Sequence, residues 1–256
     1  MTACYYRRHD GEVFESTDLT RSNWTPDIQH GSPPLALLTK MIEEQLAGSS
    51  MRIGRLSLDI LGAIPVAPMM VRTWVERPGK RICLLASEMI PVGQTRPVAR
   101  VSAWALAVSD TDDAATDRHP PLVQGPGVSM PDGWWNADGY LESVDFLRQQ
   151  DDSGSRVCWL TPKVALVDEE PTTALQRLAM VVDSANGVGS ALDPSRFVFM
   201  NTDTVVHLHR LPTGDEFGLR ARASIGPDGI GVTTAEIYDR SGHLGSSAQT
   251  LLIQRQ

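Results

Sequence analysis

Near its end the chain reads SSAQTLLIQ, and the odd residue in it is Gln249. A side-chain amide entering an apolar strand must find hydrogen-bond partners or it costs stability. By alternation Gln249 shares a face with Leu251 and Ile253, while Ala248 and Leu252 share the other. Both faces carry apolar residues, so the pattern leaves open which one is buried. Asp183 stands in a comparable setting. It follows Ala179 by one helical turn and adjoins Val182, at the border of an apolar stripe where a carboxylate is partly desolvated. His30 and Gly31 open an earlier helix. Glycine there permits close approach of a ligand, and N–H groups at a helix start can hold a carbonyl oxygen. A histidine at that place is also a common packing or capping residue.

Other chemistries lack their residues. His207 and His209 share a strand face, but no third ligand stands at useful spacing, so no metal is expected. GPDGIG is a hairpin turn rather than a phosphate loop, because no Lys-Ser/Thr follows it. There is no GxSxG elbow, and the three cysteines, Cys4, Cys83 and Cys158, form no CxxC and have no recognisable histidine partner. A serine or cysteine acyl-enzyme, a disulfide framework and a zinc site are therefore not expected.

The elements that must position these residues fall into two similar series. HGSPPLALLTKMIEEQLAG predicts a helix, with Ser32 as cap, Pro33 in the first turn, Leu35, Leu38 and Ile42 on one side, and Gly48 as its end. RLSLDIL, APMMVRTWVER, RICLLASEMI and PVARVSAWALAV then read as strands. Residues 110–138, rich in Asp, Pro and Gly, predict a linker or a long ordered loop, in which Trp134 and Trp135 could anchor the loop or cover a ligand mouth. LESVDFLR and RVCWLTPKVALV read as strands. PTTALQRLAMVVDSANGVG reads as a second helix with Pro171 in its first turn. Strands resume with RFVFMNTDTVVHLHR, EFGLRARASIG, GVTTAEIYD and HLGSSAQTLLI. Pro65 and Pro212 fall at comparable points in the two halves, as do Glu88 and Glu236. The plan is an internal repeat, with units at 1–109 and 139–256. One long helix per antiparallel sheet is α+β layering.

Composition narrows the partners. The 256 residues are 41% hydrophobic, enough for a sizeable core, and the net charge is −8. That balance argues against nucleic acid and anionic membranes. The most apolar run, LGAIPVAPMMV, is shorter than the ~20 residues a spanning helix needs. No apolar signal segment stands at the start, so a cytoplasmic setting is expected.

The order of DSANGVG, FMNTDTVVHLHRLP and GSSAQTLLI, with QHGSPPLALL in the first half, resembles the acyl-CoA thioesterase II family over nearly the whole chain. The resemblance implies a double hot-dog fold: two tandem repeats, each an antiparallel sheet wrapped around a central helix. It implies hydrolysis of fatty acyl-CoA thioesters with no cofactor and no covalent nucleophile. An Asp on the second helix, a hydroxyl or amide residue at the start of the next strand and a Gln on the last strand would position a water. Those positions fall on Asp183, Asn201 and Gln249. Better-known members place threonine where Asn201 stands, and Thr202 could take the role if the register shifts by one. Asp183 would be the base, the two amides would orient the water, and His30 or Gly31 would bind substrate or assist. A double hot-dog protein that binds acyl-CoA or an acyl carrier without hydrolysing it is the alternative. Pairing of units into a homo-oligomer is also implied. The first repeat has Ala103 where the second has Gln249, and no acid near Ala36. One active half and one scaffold half are thus expected.

Overall fold

The short N-terminal pieces form β1 (Cys4–Arg8) and β2 (Val13–Ser16), followed by α1 (Ser32–Gln45). Four long strands come next: β3 (Met51–Ile60), β4 (Pro68–Arg77), β5 (Ile82–Pro91) and β6 (Ala99–Ala107). The second series has β7 (Val144–Gln149), β8 (Arg156–Pro162), β9 (Ala165–Val167), α2 (Ala174–Val182) and α3 (Ala185–Gly189). It ends with β10 (Phe197–Asn201), β11 (Asp203–Leu208), β12 (Phe217–Ile225), β13 (Ile230–Asp239) and β14 (Gly242–Arg255). This computed structural model describes residues 3–129, 138–151, 153–190 and 192–256; Trp134 and Trp135 lie outside them.

Local chemistry shifts several predicted boundaries. The cap of α1 is Gly31, one residue before Ser32, with proline in the first turn, where its missing N–H costs nothing. Pro171 stays outside α2. Thr173 caps that helix instead: its hydroxyl accepts the Gln176 N–H while the Gln176 side chain returns to the Thr173 N–H. RVCWLTPKVALV divides into β8 and β9, and β9 leaves its neighbour to pair in parallel with β1. The described part of the 110–138 segment is an ordered cover. Leu122 packs on Trp159 and Tyr238, and the Val128 N–H bonds the Arg148 carbonyl.

Among the described residues the strands form one sheet in the order β7-β8-β12-β13-β14-β11-β3-β6-β5-β4-β2-β1-β9, with β10 also on β14. The first-half and second-half strands meet where β11 runs antiparallel to β3, from Asp203↔Asp59 to His207↔Arg55. Helix α1 packs on β4, β5 and β6, while α3 packs on β8, β12, β13 and β14. Leu35, Leu37, Leu38 and Ile42 are fully buried, and each is worth about 1.5–3 kcal/mol of burial. Helices α1 and α2 lie against each other head to tail. Glu43 of α1 accepts from Gln176 and Thr173 at one end, and Gly31 meets Asp183 at the other.

Candidate functional site

A β-bulge builds the site. RFVFMNTDTVVHLHR is two strands rather than one, broken at Thr202. Strand β10 pairs with β14 up to Asn201↔Leu251, and β11 resumes at Val205↔Ala248. Thr202, Asp203 and Thr204 therefore face only Gln249 and Thr250. Such an insertion reverses the alternation, so residues three apart reach the same side. The ladder is repaired locally: the Thr202 N–H bonds the Thr250 carbonyl, and the Thr250 N–H turns to the Asp203 carboxylate at 2.9 Å. Asn201 and Thr204 both point inward as a result.

They converge on Asp183, the C-terminal cap of α2, which is 3% exposed. Its Oδ1 accepts from the Thr204 hydroxyl at 2.5 Å, Asn201 Nδ2 at 2.8 Å and Gln249 Nε2 at 3.2 Å. Having given its proton to Asp183, the Thr204 oxygen accepts from Gln249 Nε2 at 2.9 Å. That same amide group donates to the Asp183 carbonyl at 2.9 Å. Gln249 is thus on the buried face with Leu251 and Ile253, while Ala248 and Leu252 face out. Donors to an ionised carboxylate are the strong hydrogen bonds, and here they hold one oxygen while leaving the other, Oδ2, without a hydrogen-bond partner among the described residues.

Oδ2 faces the start of α1. A Cβ placed on Gly31 would lie 2.5 Å from it, so only glycine lets the helix approach this closely. The N–H groups there are mostly spent or missing. Ser32 donates to His30 Nδ1 at 3.1 Å, Pro33 and Pro34 have none, and the His30 N–H bonds the Thr20 carbonyl. The Gly31 N–H has no partner among the described residues. His30 Nδ1 lies 3.7 Å from Asp183 Oδ2, but it accepts the Ser32 N–H, which puts its proton on Nε2. Burial depresses the imidazole below its usual value, more than the Asp183 carboxylate raises it, so the ring is neutral and the contact is not a charge pair. The ring stacks on Tyr140, 3.8 Å between centroids. Tyr140 donates to the Met180 carbonyl, and its oxygen accepts from Ser184. Burial raises this phenol, so it stays protonated.

A cavity of about 980 Å³ opens over this group, lined by His30, Gly31, Asp183 and Asn201 and by apolar Trp24, Ile28, Ile64, Phe146, Phe199 and Leu252. Cys158 is also on its wall, but burial pushes its thiol up to about 12, which leaves no thiolate nucleophile. Thr202 does not reach Asp183: its hydroxyl contacts Asp203 and the Thr250 carbonyl. The hydroxyl that does is Thr204, fully buried and absent from the sequence reading. A signal for it exists. Phe197, Phe199 and Asn201 alternate in one frame, and Thr204, Val206 and Leu208 in the frame shifted by one; both sets cannot face the core without a bulge. Thr204→Val removes two buried hydrogen bonds, one to the Asp183 carboxylate and one from the Gln249 amide, a loss of about 2 kcal/mol. At this chain size that lowers Tm by roughly 4–8 °C. Thr204→Ser is expected to restore most of it, as thermal melts of the pair will show.

The two halves differ at matched places. Gln249 pairs with Thr233, three residues before Glu236; Ala103 pairs with Leu85, three residues before Glu88. The polar cluster belongs to one half, and Gly31 is what the other half brings to it. Among the described residues there is no grouping of His, Cys, Asp and Glu able to hold a metal, and no helix long and apolar enough to cross a membrane.

A model of the acyl-CoA thioesterase C-terminal domain matches residues 111–253, and a model of the N-terminal domain matches residues 20–106. Comparison with curated proteins gives no match. Solved structures share the fold at low identity. A candidate thioesterase from Novosphingobium aromaticivorans is 20% identical with a TM-score of 0.72, covering 97% of this chain and 98% of its own. A hot-dog protein from Alicyclobacillus acidocaldarius is 14% identical with a TM-score of 0.72, covering 96% and 95%. Acyl-CoA thioesterase II from Mycobacterium marinum is 12% identical with a TM-score of 0.69, covering 98% and 96%.

Proposed function

This chain belongs to the acyl-CoA thioesterase family and is a thioester hydrolase, and we propose that it cleaves fatty acyl-CoA by direct attack of a water activated at Asp183. The observation that carries this reading is the one-sided bonding of the Asp183 carboxylate. Oδ1 is locked by Thr204, Asn201 and Gln249, while Oδ2 is free to take a proton beside the cavity. We read the architecture as a double hot-dog, with repeats 1–109 and 139–256 joined by 110–138, in which the second repeat carries the polar groups and the first contributes Gly31.

The steps follow from the residues. The thioester carbonyl oxygen lies against the Gly31 N–H, with the neutral His30 Nε2–H as a second donor on the cavity wall. These donors meet the negative charge that develops on that oxygen. Water stands between the carbonyl carbon and Asp183 Oδ2, which accepts its proton as the O–C bond forms. The tetrahedral species then collapses, the C–S bond breaks, and the proton passes to the departing CoA thiolate. Asn201 and Gln249 exchange no protons near neutrality. Their part is to fix the carboxylate, and the unpartnered Gln249 Oε1 is a spare acceptor for orienting a water.

The test is release of free thiol from a panel of acyl-CoAs. Turnover is expected for the wild type. Gln249→Ala is expected to lower kcat by about tenfold to a hundredfold, because the water loses an orienting group while the base remains. Wild-type protein that binds acyl-CoA tightly but releases no thiol would overturn the hydrolytic reading in favour of an acyl-CoA carrier. Unchanged kcat in Gln249→Ala would remove Gln249 from the mechanism.

A further inference from the structure

The cavity has a cationic end that the chemistry above does not use. Among the described residues, Arg148 and Arg156 are the only arginine or lysine side chains on its wall. They come from the edge strand β7 and its neighbour β8: Arg148 pairs with Cys158, two residues from Arg156. Alternation puts both on the inner face. Cys158 and Leu160 of that face join the main core, while Val157 and Trp159 pack in the outer cluster.

Neither guanidinium has a carboxylate partner among the described residues. Arg148 donates only to the Ser129 carbonyl. Asp151, in the loop between the two strands, is taken by Arg220. Neither acid on the cavity wall forms an ion pair with Arg148 or Arg156. Asp183 is held by its three donors, and Asp193 accepts from the Ser195 N–H and hydroxyl. Arg148 is half-buried and Arg156 exposed, and the two like charges oppose each other. Burial, followed by the Arg156 charge, lowers the Arg148 guanidinium from its usual value. An anion between them would relieve both costs, since planar guanidinium groups bind phosphate and carboxylate in bidentate fashion. Both arginines share the wall of one cavity with Asp183.

We propose that Arg148 and Arg156 form an anion subsite of the thioester cavity, which receives a phosphate or carboxylate group carried by the substrate. The proposal rests on the thioesterase reading of the cavity. The anion has two sources: the phosphates of CoA, or a carboxylate at the far end of the acyl group.

The experiment compares wild type, Arg148→Gln/Arg156→Gln and Arg148→Lys/Arg156→Lys on three substrates. These are the best straight-chain acyl-CoA, its N-acetylcysteamine thioester, and the N-acetylcysteamine thioester of the matching ω-carboxylated acyl group. In the glutamine variant KM should rise by about tenfold or more, with kcat little changed, on a substrate bearing the recognised anion. The neutral thioester should be unaffected, and the lysine variant should keep most of the affinity. A rise on the acyl-CoA identifies the phosphates; a rise on the ω-carboxylated thioester identifies the acyl carboxylate. Unchanged KM on both, or an equal rise on the neutral thioester, overturns the subsite. Calorimetric titration with adenosine 3′,5′-bisphosphate and with glutarate needs no turnover. Binding of either by the wild type and its loss in the glutamine variant would uphold the subsite even if no thioester were cleaved. Binding of neither anion by the wild type would overturn it.

Discussion

Asp183→Asn is expected to lower kcat by about a hundredfold to ten-thousandfold, the usual contribution of a positioned general base. The fold should survive, for a reason visible in the bonding. The three donors around Oδ1, from Thr204, Asn201 and Gln249, can all be met by the carbonyl oxygen of an asparagine in the same rotamer. Its new amide group then takes the place of Oδ2, beside Gly31, where it cannot accept a proton from water. KM should change little, because in the proposed mechanism the carboxylate meets the attacking water rather than the acyl chain or CoA. The measurement is kcat and KM for thiol release, with Tm as the check on folding. Wild-type kcat in this variant would sink the direct-water mechanism outright. A wild-type kcat in Asp183→Asn together with a low one in His30→Gln would move the base to the imidazole.

What the sequence shows and what it hides divide along a physical line. Asp183 and Gln249 are legible because each is a polar residue beside an apolar pattern, and a burial cost implies a partner. The approach of Gly31 is half legible. Glycine at a helix start signals proximity, but not that the neighbour is a carboxylate from a distant segment. Thr204 is hidden because RFVFMNTDTVVHLHR reads as one strand, and the bulge at Thr202 to Thr204 changes which residues point inward. The same lesson separates β9 from β8: the apolar run past Pro162 is real, but its partner is β1, at the other end of the sheet. Periodicity reports faces within one element. It does not report where an element breaks, nor which distant strand receives it. The pair of cavity-wall arginines is hidden for a related reason. Arg148 and Arg156 look like ordinary surface charges until the pairing of Arg148 with Cys158 fixes the face they share.

The asymmetry between the halves explains why two helices are needed for one carboxylate. The second half supplies the proposed base and its three donors, but the groups that would hold the carbonyl stand at the start of α1, in the first half. Gly31→Ala tests this joint directly. The backbone at Gly31 is ordinary for any residue, with φ −68, so no conformational penalty arises. Space is the obstacle: the added methyl would lie 2.5 Å from Asp183 Oδ2 and 2.9 Å from its Cγ. The carboxylate cannot yield freely because Oδ1 is held on three sides. Overpacking of this kind costs about 1–3 kcal/mol in stability. Displacing a base by even an ångström costs about a hundredfold in rate. The expected result is therefore kcat/KM down about a hundredfold with a modest fall in Tm, and an unchanged kcat/KM would show that the two halves do not meet at the reacting atoms. The double variant Gly31→Ala/Asp183→Asn decides by which route the damage travels. If the methyl acts only by pushing the carboxylate, the double variant is no slower than Asp183→Asn alone, because the base is already gone. If it also shifts the Gly31 N–H away from the thioester carbonyl, the residual rate falls further, and the size of that second drop measures what the first half contributes to the oxyanion.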